Sequence, residues 1–194
     1  MEGAEDTPMS EPIDPASASA GQSSALPRGL SEMLARTVDA LEAGGVRDEA
    51  LAILRGPARR FLVLTSPAVM VPAGRAWRLG VLLLDRQGRV FATGKVTRAI
   101  EPKRGVADRS LAADRRRADE LAAFRGPFAE GEVVNYGFSS IDLGLASLQT
   151  SSGPLFTDSG TVFVRRDPNL PDRGVSRLDS YLAERVRLLT EGTD

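Results

Sequence analysis

At 194 residues, with 42% hydrophobic and 26% charged residues and a net charge of −1, the chain suits one globular domain plus a tail. It has no histidine and no cysteine, which excludes a Ser-His-Asp triad, an imidazole base, a thiolate nucleophile, His or Cys metal ligation and a disulfide. Arginine outnumbers lysine 23 to 2, so any catalysis would rest on carboxylates, hydroxyls, tyrosine, arginine, Lys95 and Lys103.

Residues 1–27 carry Glu2, Glu5, Asp6, Glu11 and Asp14 and no base, with four prolines, a Ser/Ala run and no aromatic residue. Such a stretch cannot bury enough surface to offset its chain entropy and is expected to be a disordered acidic tail. The remaining residues, 28–194, are expected to form a single domain and hold 25 bases against 21 acids, a mildly basic body. No apolar leader or spanning segment is visible, and a cytoplasmic location without membrane contact is expected.

Ser31 can N-cap a helix reaching about Ala43, with Leu34, Val38 and Leu41 at helical spacing and Gly44-Gly45 as its stop. A second short helix is expected over 47–54, burying Leu51 and Leu54, so that the two form a helical hairpin. Residues 61–65 fit a buried strand, and 69–71, between Pro67 and Pro72, an edge or loop. A hairpin follows: 77–84, a turn at Asp85-Arg86-Gln87-Gly88, and 89–100, whose alternation puts Thr93, Lys95 and Thr97 on one face. Ser110 caps a helix to about Phe124, with Leu111, Ala118, Leu121 and Ala122 inward. Strands are expected over 132–137 and 140–143, a second hairpin about Thr157-Asp158-Ser159-Gly160, and a closing helix over 177–189 with Leu178, Leu182, Val186 and Leu189 inward. The fold class is therefore α+β: an antiparallel sheet built from hairpins, with helices on one side.

Four segments carry letters that bear on chemistry. Asp158-Ser159-Gly160-Thr161 spells an aspartic-protease loop, but one loop would need a second copy, and the same residues make a tight hairpin turn. Pro102-Lys103-Arg104-Gly105-Val106-Ala107 loosely resembles the acyl-CoA loop of GNAT acetyltransferases, departing from it at Ala107 and Arg109. Residues 101–117 hold six bases (Lys103, Arg104, Arg109, Arg115, Arg116, Arg117) against three acids, a local charge of +3 suited to an anionic group. No aromatic residues interleave with these arginines, so a nucleic-acid partner is not expected. Finally, Asn135, Tyr136 and Asp142 lie where a polar strand leaves for a loop and could line a cleft.

Taken together, Trp77-Arg78-Leu79-Gly80-Val81-Leu82-Leu83-Leu84, Thr97-Arg98-Ala99, Phe124-Arg125-Gly126-Pro127-Phe128, Glu130-Gly131-Glu132-Val133-Val134-Asn135, Ile141-Asp142-Leu143 and Gly153-Pro154-Leu155 resemble a small actinobacterial family over most of residues 30–190. Some members carry the label glutaminase, which implies a hydrolase but brings no catalytic residues to carry over. Amidotransferase-type glutaminases use Cys and His, and the serine type uses Ser-x-x-Lys; this chain has none of these.

The residues favour a non-catalytic domain that binds a protein or an anionic small molecule, with a surface made of Lys103, Arg104, Arg109 and Arg116 beside Asn135, Tyr136 and Asp142. A hydrolase or an acyl-CoA-dependent acyltransferase is the alternative. No metal or cofactor is expected, and self-association stays open.

Overall fold

Leucines at helical spacing make the first element. In the computed structural model, which describes residues 26–60, 64–102, 110–167 and 174–192, helix α1 spans Leu30–Ala43 and buries Leu30, Leu34, Val38 and Leu41. Gly29, at a φ of 74°, occupies the N-cap position assigned above to Ser31. The next segment departs from expectation: 47–54 is no helix, and strand β1 (Glu49–Arg55) runs there instead. Ala50, Leu51 and Ala52 are all buried, which is the pattern of a strand covered on both faces. No helical hairpin forms, and α1 packs on the closing helix α4 (Leu178–Glu191), which buries Leu178, Tyr181 and Leu182.

Strands β2 (Ala58–Arg60) and β3 (Leu64–Ser66) pair as a small hairpin. Only the end of the strand expected over 61–65 lies among the described residues. Residues 69–71 open a long internal strand, β4 (Val69–Leu79), antiparallel to β1. Its Pro72 is tolerated because the register shifts there, pairing Leu51 with Gly74 but Ala52 with Pro72.

The strand expected over 77–84 breaks at Gly80-Val81, so β5 (Leu82–Leu84) folds back on β4. Gly80 has a φ of 66°. The Tyr181 hydroxyl holds that turn, donating to the Leu79 carbonyl at 2.7 Å and accepting from the Val81 N–H at 3.0 Å. The turn to β6 (Val90–Ala92) forms as expected, with Gly88 at a φ of 75°. Buried Asp85 accepts there from the N–H groups of Gln87 and Arg89.

The strand expected over 89–100 bends at Thr93-Gly94 and continues as β7 (Lys95–Arg98). Its partner bends opposite, at Gly137-Phe138, between β8 (Val133–Tyr136) and β9 (Ser139–Ser140). The pairs Phe91–Ser140, Ala92–Ser139, Lys95–Tyr136 and Arg98–Val133 keep a single register across the bend. Strand β8 also pairs in parallel with β1, which makes the large sheet mixed. The seven-stranded order β7-β8-β1-β4-β5-β6-β9 therefore begins and ends on the same two bent strands, and the sheet closes on itself as a small barrel. Closure requires glycine at the bend, because a Cβ on Gly94 would lie 2.5 Å from the Tyr136 carbonyl oxygen and closer still to the Gly137 backbone.

Inside this barrel Leu51, Ala76 and Leu83 are buried beneath Phe91 and Phe138, whose rings meet edge to face at 5.4 Å. The described helices lie outside. Helix α2 (Leu111–Phe124) is capped by Ser110, whose Oγ accepts the Ala113 N–H at 3.2 Å. It packs Ala122 and Ala123 on Ala50, Ala52, Met70, Val134 and Tyr136. Leu111 and Ala118, expected inward, are exposed, because the barrel meets the Ala113–Ala122–Ala123 side instead. A second core joins α1, α4, the short helix α3 (Leu145–Gln149) and Trp77, Leu79, Leu82, Leu84 and Val90. To it the hairpin of β10 (Leu155–Asp158) and β11 (Thr161–Arg165) adds Leu155, Val162 and Val164, with β12 (Val175–Arg177) alongside. The fold is thus α+β as expected, but the large sheet is mixed and not the antiparallel one expected, because β8 reaches β1 by a long connection through α2 and lies parallel to it. No described helix is long and apolar enough to cross a membrane.

An ion-pair network ties β1 to β4 and β8. Arg75 holds Asp48 at 2.7 Å and Glu132 at 2.6 Å, and Arg86 reaches Asp48 and Glu42. Burial raises the Asp48 pKa, but hydrogen bonds and charge from Arg75 and Arg86 outweigh it and hold the carboxyl below its usual range; the Arg75 hydrogen bond does the same for Glu132. Carboxyls depressed on folding contribute stability above their unfolded pKa, near 4, and lose it as pH falls through the lower folded value. Melting temperature is therefore expected to drop steeply below about pH 4, and Arg75→Met is expected to flatten that limb while lowering stability at pH 7. An unchanged acid limb in Arg75→Met would refute the assignment.

Candidate functional site

Three of the residues expected to bind, Lys103, Arg104 and Arg109, lie outside the described residues, as does most of the acyl-CoA-like loop. The other four do not converge. Arg116 is exposed on α2. Asn135 and Tyr136 are neighbours on β8, and successive strand side chains point to opposite faces. Asn135 turns into the barrel, fully buried, where its amide donates to Glu49 at 2.6 Å and its oxygen accepts from Arg78. Tyr136 turns outward to Asp119 on α2. Burial, then the bond to Asp119, push the Tyr136 hydroxyl well above its ordinary pKa, so it holds its proton at neutral pH. Asp142 lies at the start of α3, accepting from the Gly144 N–H at 2.9 Å and from the Ser147 hydroxyl at 2.5 Å. Those bonds, that of Ser147 first, lower its pKa. All three are engaged in holding the fold. The protease-like letters form the hairpin turn between β10 and β11, with Ser159 and Gly160 at φ of 48° and 79°.

A different place presents unsatisfied surface. Strands β1 and β8 run side by side only from Ala50–Val134 to Ala52–Tyr136. At Gly137, whose φ is 63°, the strand leaving β8 turns away toward β9, while β1 runs on through Ile53, Leu54 and Arg55. The two parallel strands splay at their carboxyl ends and leave a cleft of about 600 Å³. Crevices of this size and position commonly hold ligands.

Side chains of both strand parities line the cleft, as befits a gap between strands rather than a sheet face. Phe91 and Phe138, which cover the buried barrel residues, form the floor, while Ile53 and Leu54 form one wall. Ile53 is 57% and Leu54 41% exposed, unusual for apolar residues on a central strand. Lys95 and Arg89 stand at the rim. Arg89 is held by Asp85 at 2.6 Å, whereas Lys95 forms no ion pair among the described residues. Among the described residues the lining contains no carboxylate, serine or threonine, and its titratable groups there are Arg89, Lys95 and Tyr136. An apolar floor beneath positive charge suits an amphipathic anion, and no nucleophile stands beside a base. Among the described residues no group of three or more carboxylates could hold a metal ion.

Of the residues that sequence marks as binding candidates, Tyr136 lines this cleft, and Lys95 is marked there only as part of a strand face with Thr93 and Thr97. Ile53 and Leu54 lie in a segment whose letters fit a helix with Leu54 inward; the strand that forms there instead leaves both exposed. Comparison of the chain with known protein families, curated proteins and solved structures gives no match.

Proposed function

We propose that the chain is a non-catalytic binding protein whose ligand enters the cleft where β1 and β8 diverge, and that the ligand combines an apolar body with an anionic group. The observation that carries this reading is the exposed pair Ile53 and Leu54 above Phe91 and Phe138, beside Lys95, with no ion pair to Lys95 and no carboxylate in the lining among the described residues. Burying such side chains contributes about 1.5–3 kcal/mol each, enough to drive association once Lys95 orients the anion. A catalytic reading would need an acid–base pair in the cleft, and Tyr136 is committed to Asp119.

Anilinonaphthalene sulfonate, an apolar anion, is the direct probe. Its fluorescence should rise on binding the full chain. Ile53→Asp and Lys95→Glu, both at exposed positions, should each weaken that response about tenfold without lowering the melting temperature. Charge reversal of Arg104, Arg109 and Arg116 should leave it unchanged. A response that survives Ile53→Asp but is lost with the arginines would move the site to the basic segment.

A further inference from the structure

We infer that the occupant of this cleft is an extended, acidic peptide segment of a partner protein, added as a strand along β1. The inference rests on the cleft being the binding site, and it specifies what binds there and how.

Backbone geometry is the first argument. On one side, Ile53, Leu54 and Arg55 pair with Val71, Met70 and Val69 of β4. On the other side, β8 departs after Tyr136, and no described strand pairs with that edge of residues 53–55. An unpaired edge offers N–H and C=O groups that a further strand can satisfy. Natural edges are blunted by prolines, inward charges or bulges, yet Ile53 and Leu54 are apolar and exposed. The vacant position is the straight continuation of β8, so an added strand would prolong a ladder that already exists.

Charge is the second argument. Arg55 and Lys95 flank the edge, Arg89 beside them is held by Asp85, and no described residue of the cleft lining is a carboxylate. A second copy docking edge to edge would set these cations against their own equivalents, which disfavours self-pairing. An incoming strand with acidic side chains alternating with apolar ones meets both needs. Its apolar side chains enter over Phe91 and Phe138 toward Ile53, and its carboxylates, on the opposite face, reach Lys95.

The test uses the full chain and a capped hexapeptide of alternating Glu and Val, followed by amide hydrogen exchange. The expected result is slowed exchange at the Ile53–Arg55 amides, no slowing with the Lys/Val counterpart, and binding about tenfold weaker when the peptide backbone nitrogens are methylated. Unchanged exchange at these amides with millimolar peptide overturns the inference, as does equal binding of the methylated peptide. Concentration-dependent self-association that protects the same amides overturns it in favour of a second copy. Decanoate, a small apolar anion, separates the two readings. If decanoate binds with loss in Ile53→Asp while the peptide leaves those amides unprotected, the cleft stands and strand addition falls. If peptide, decanoate and anilinonaphthalene sulfonate all fail to perturb it, both fall.

Discussion

Replacing Gly94 with alanine is expected to destabilise the chain by about 3 kcal/mol, at the upper end of overpacking effects, and to lower the melting temperature by about 6–12 °C. The added methyl would meet backbone, the Gly137 carbonyl group and the Tyr136 oxygen, and backbone cannot turn aside as a side chain can. Relief requires the β6–β7 strand to separate from β8–β9 at their shared bend, which opens the barrel where the Phe91–Phe138 contact closes it. Gly56→Ala is the matched control. A Cβ there meets nothing within 4 Å and its φ is not left-handed, so that variant should melt as the parent does or slightly higher. Because Gly137 also borders the cleft, Gly94→Ala should weaken anilinonaphthalene sulfonate binding as well. Thermal unfolding followed by circular dichroism decides the matter, and equal melting of the two variants would mean that the strands do not meet at this corner.

Asn135→Leu is expected to cost about 2–3 kcal/mol, read as a fall in the urea midpoint with an unchanged slope. Asn135 is the fully buried link of a chain that crosses three adjacent strands inside the barrel, from Arg78 on β4 to Glu49 on β1. Leucine fills a similar volume but leaves a guanidinium and a carboxylate facing an apolar group, and an uncompensated charge costs more than the bond that was lost. Replacing all three residues with apolar ones of similar size, Arg78→Met and Glu49→Leu together with Asn135→Leu, should therefore recover a large part of the loss. The residue reads in sequence as a candidate contact for a ligand, and the structure makes it a strut. The two roles predict opposite data: a strut loses stability and keeps the anilinonaphthalene sulfonate response, a contact loses the response and keeps stability.

The elements legible in sequence are those specified by neighbours along the chain. The Ser110 cap of α2, the Asp85–Gly88 turn and the Ser159-Gly160 turn each need a particular backbone angle or a hydrogen bond spanning a few residues. The inward leucines of α1 and α4 are likewise local, since helical periodicity is written within the element. The first turn of α1 was the exception, capped one residue before the hydrophobic stripe by a left-handed glycine.

Strand β1 shows where local reasoning ends. Glu, Ala and Leu are good helix formers, and residues 47–54 carry a plausible helical face. They are a strand because partners far along the chain, β4 on one edge and β8 on the other, satisfy their backbone while Leu51 fills the barrel and Ala50 and Ala52 fit beneath α2. Burial on both faces erases the alternation that marks a strand in sequence. The cleft depends on the same distant pairing. It exists because β8 stops matching β1 after three residues, and its lining comes from 52–54, 73, 89, 91, 95 and 136–138. Composition by itself had removed imidazole and thiolate chemistry from this protein. Which of the remaining apolar and cationic groups share a surface was decided only by barrel closure, because a contact between strands carries no periodic trace in either one.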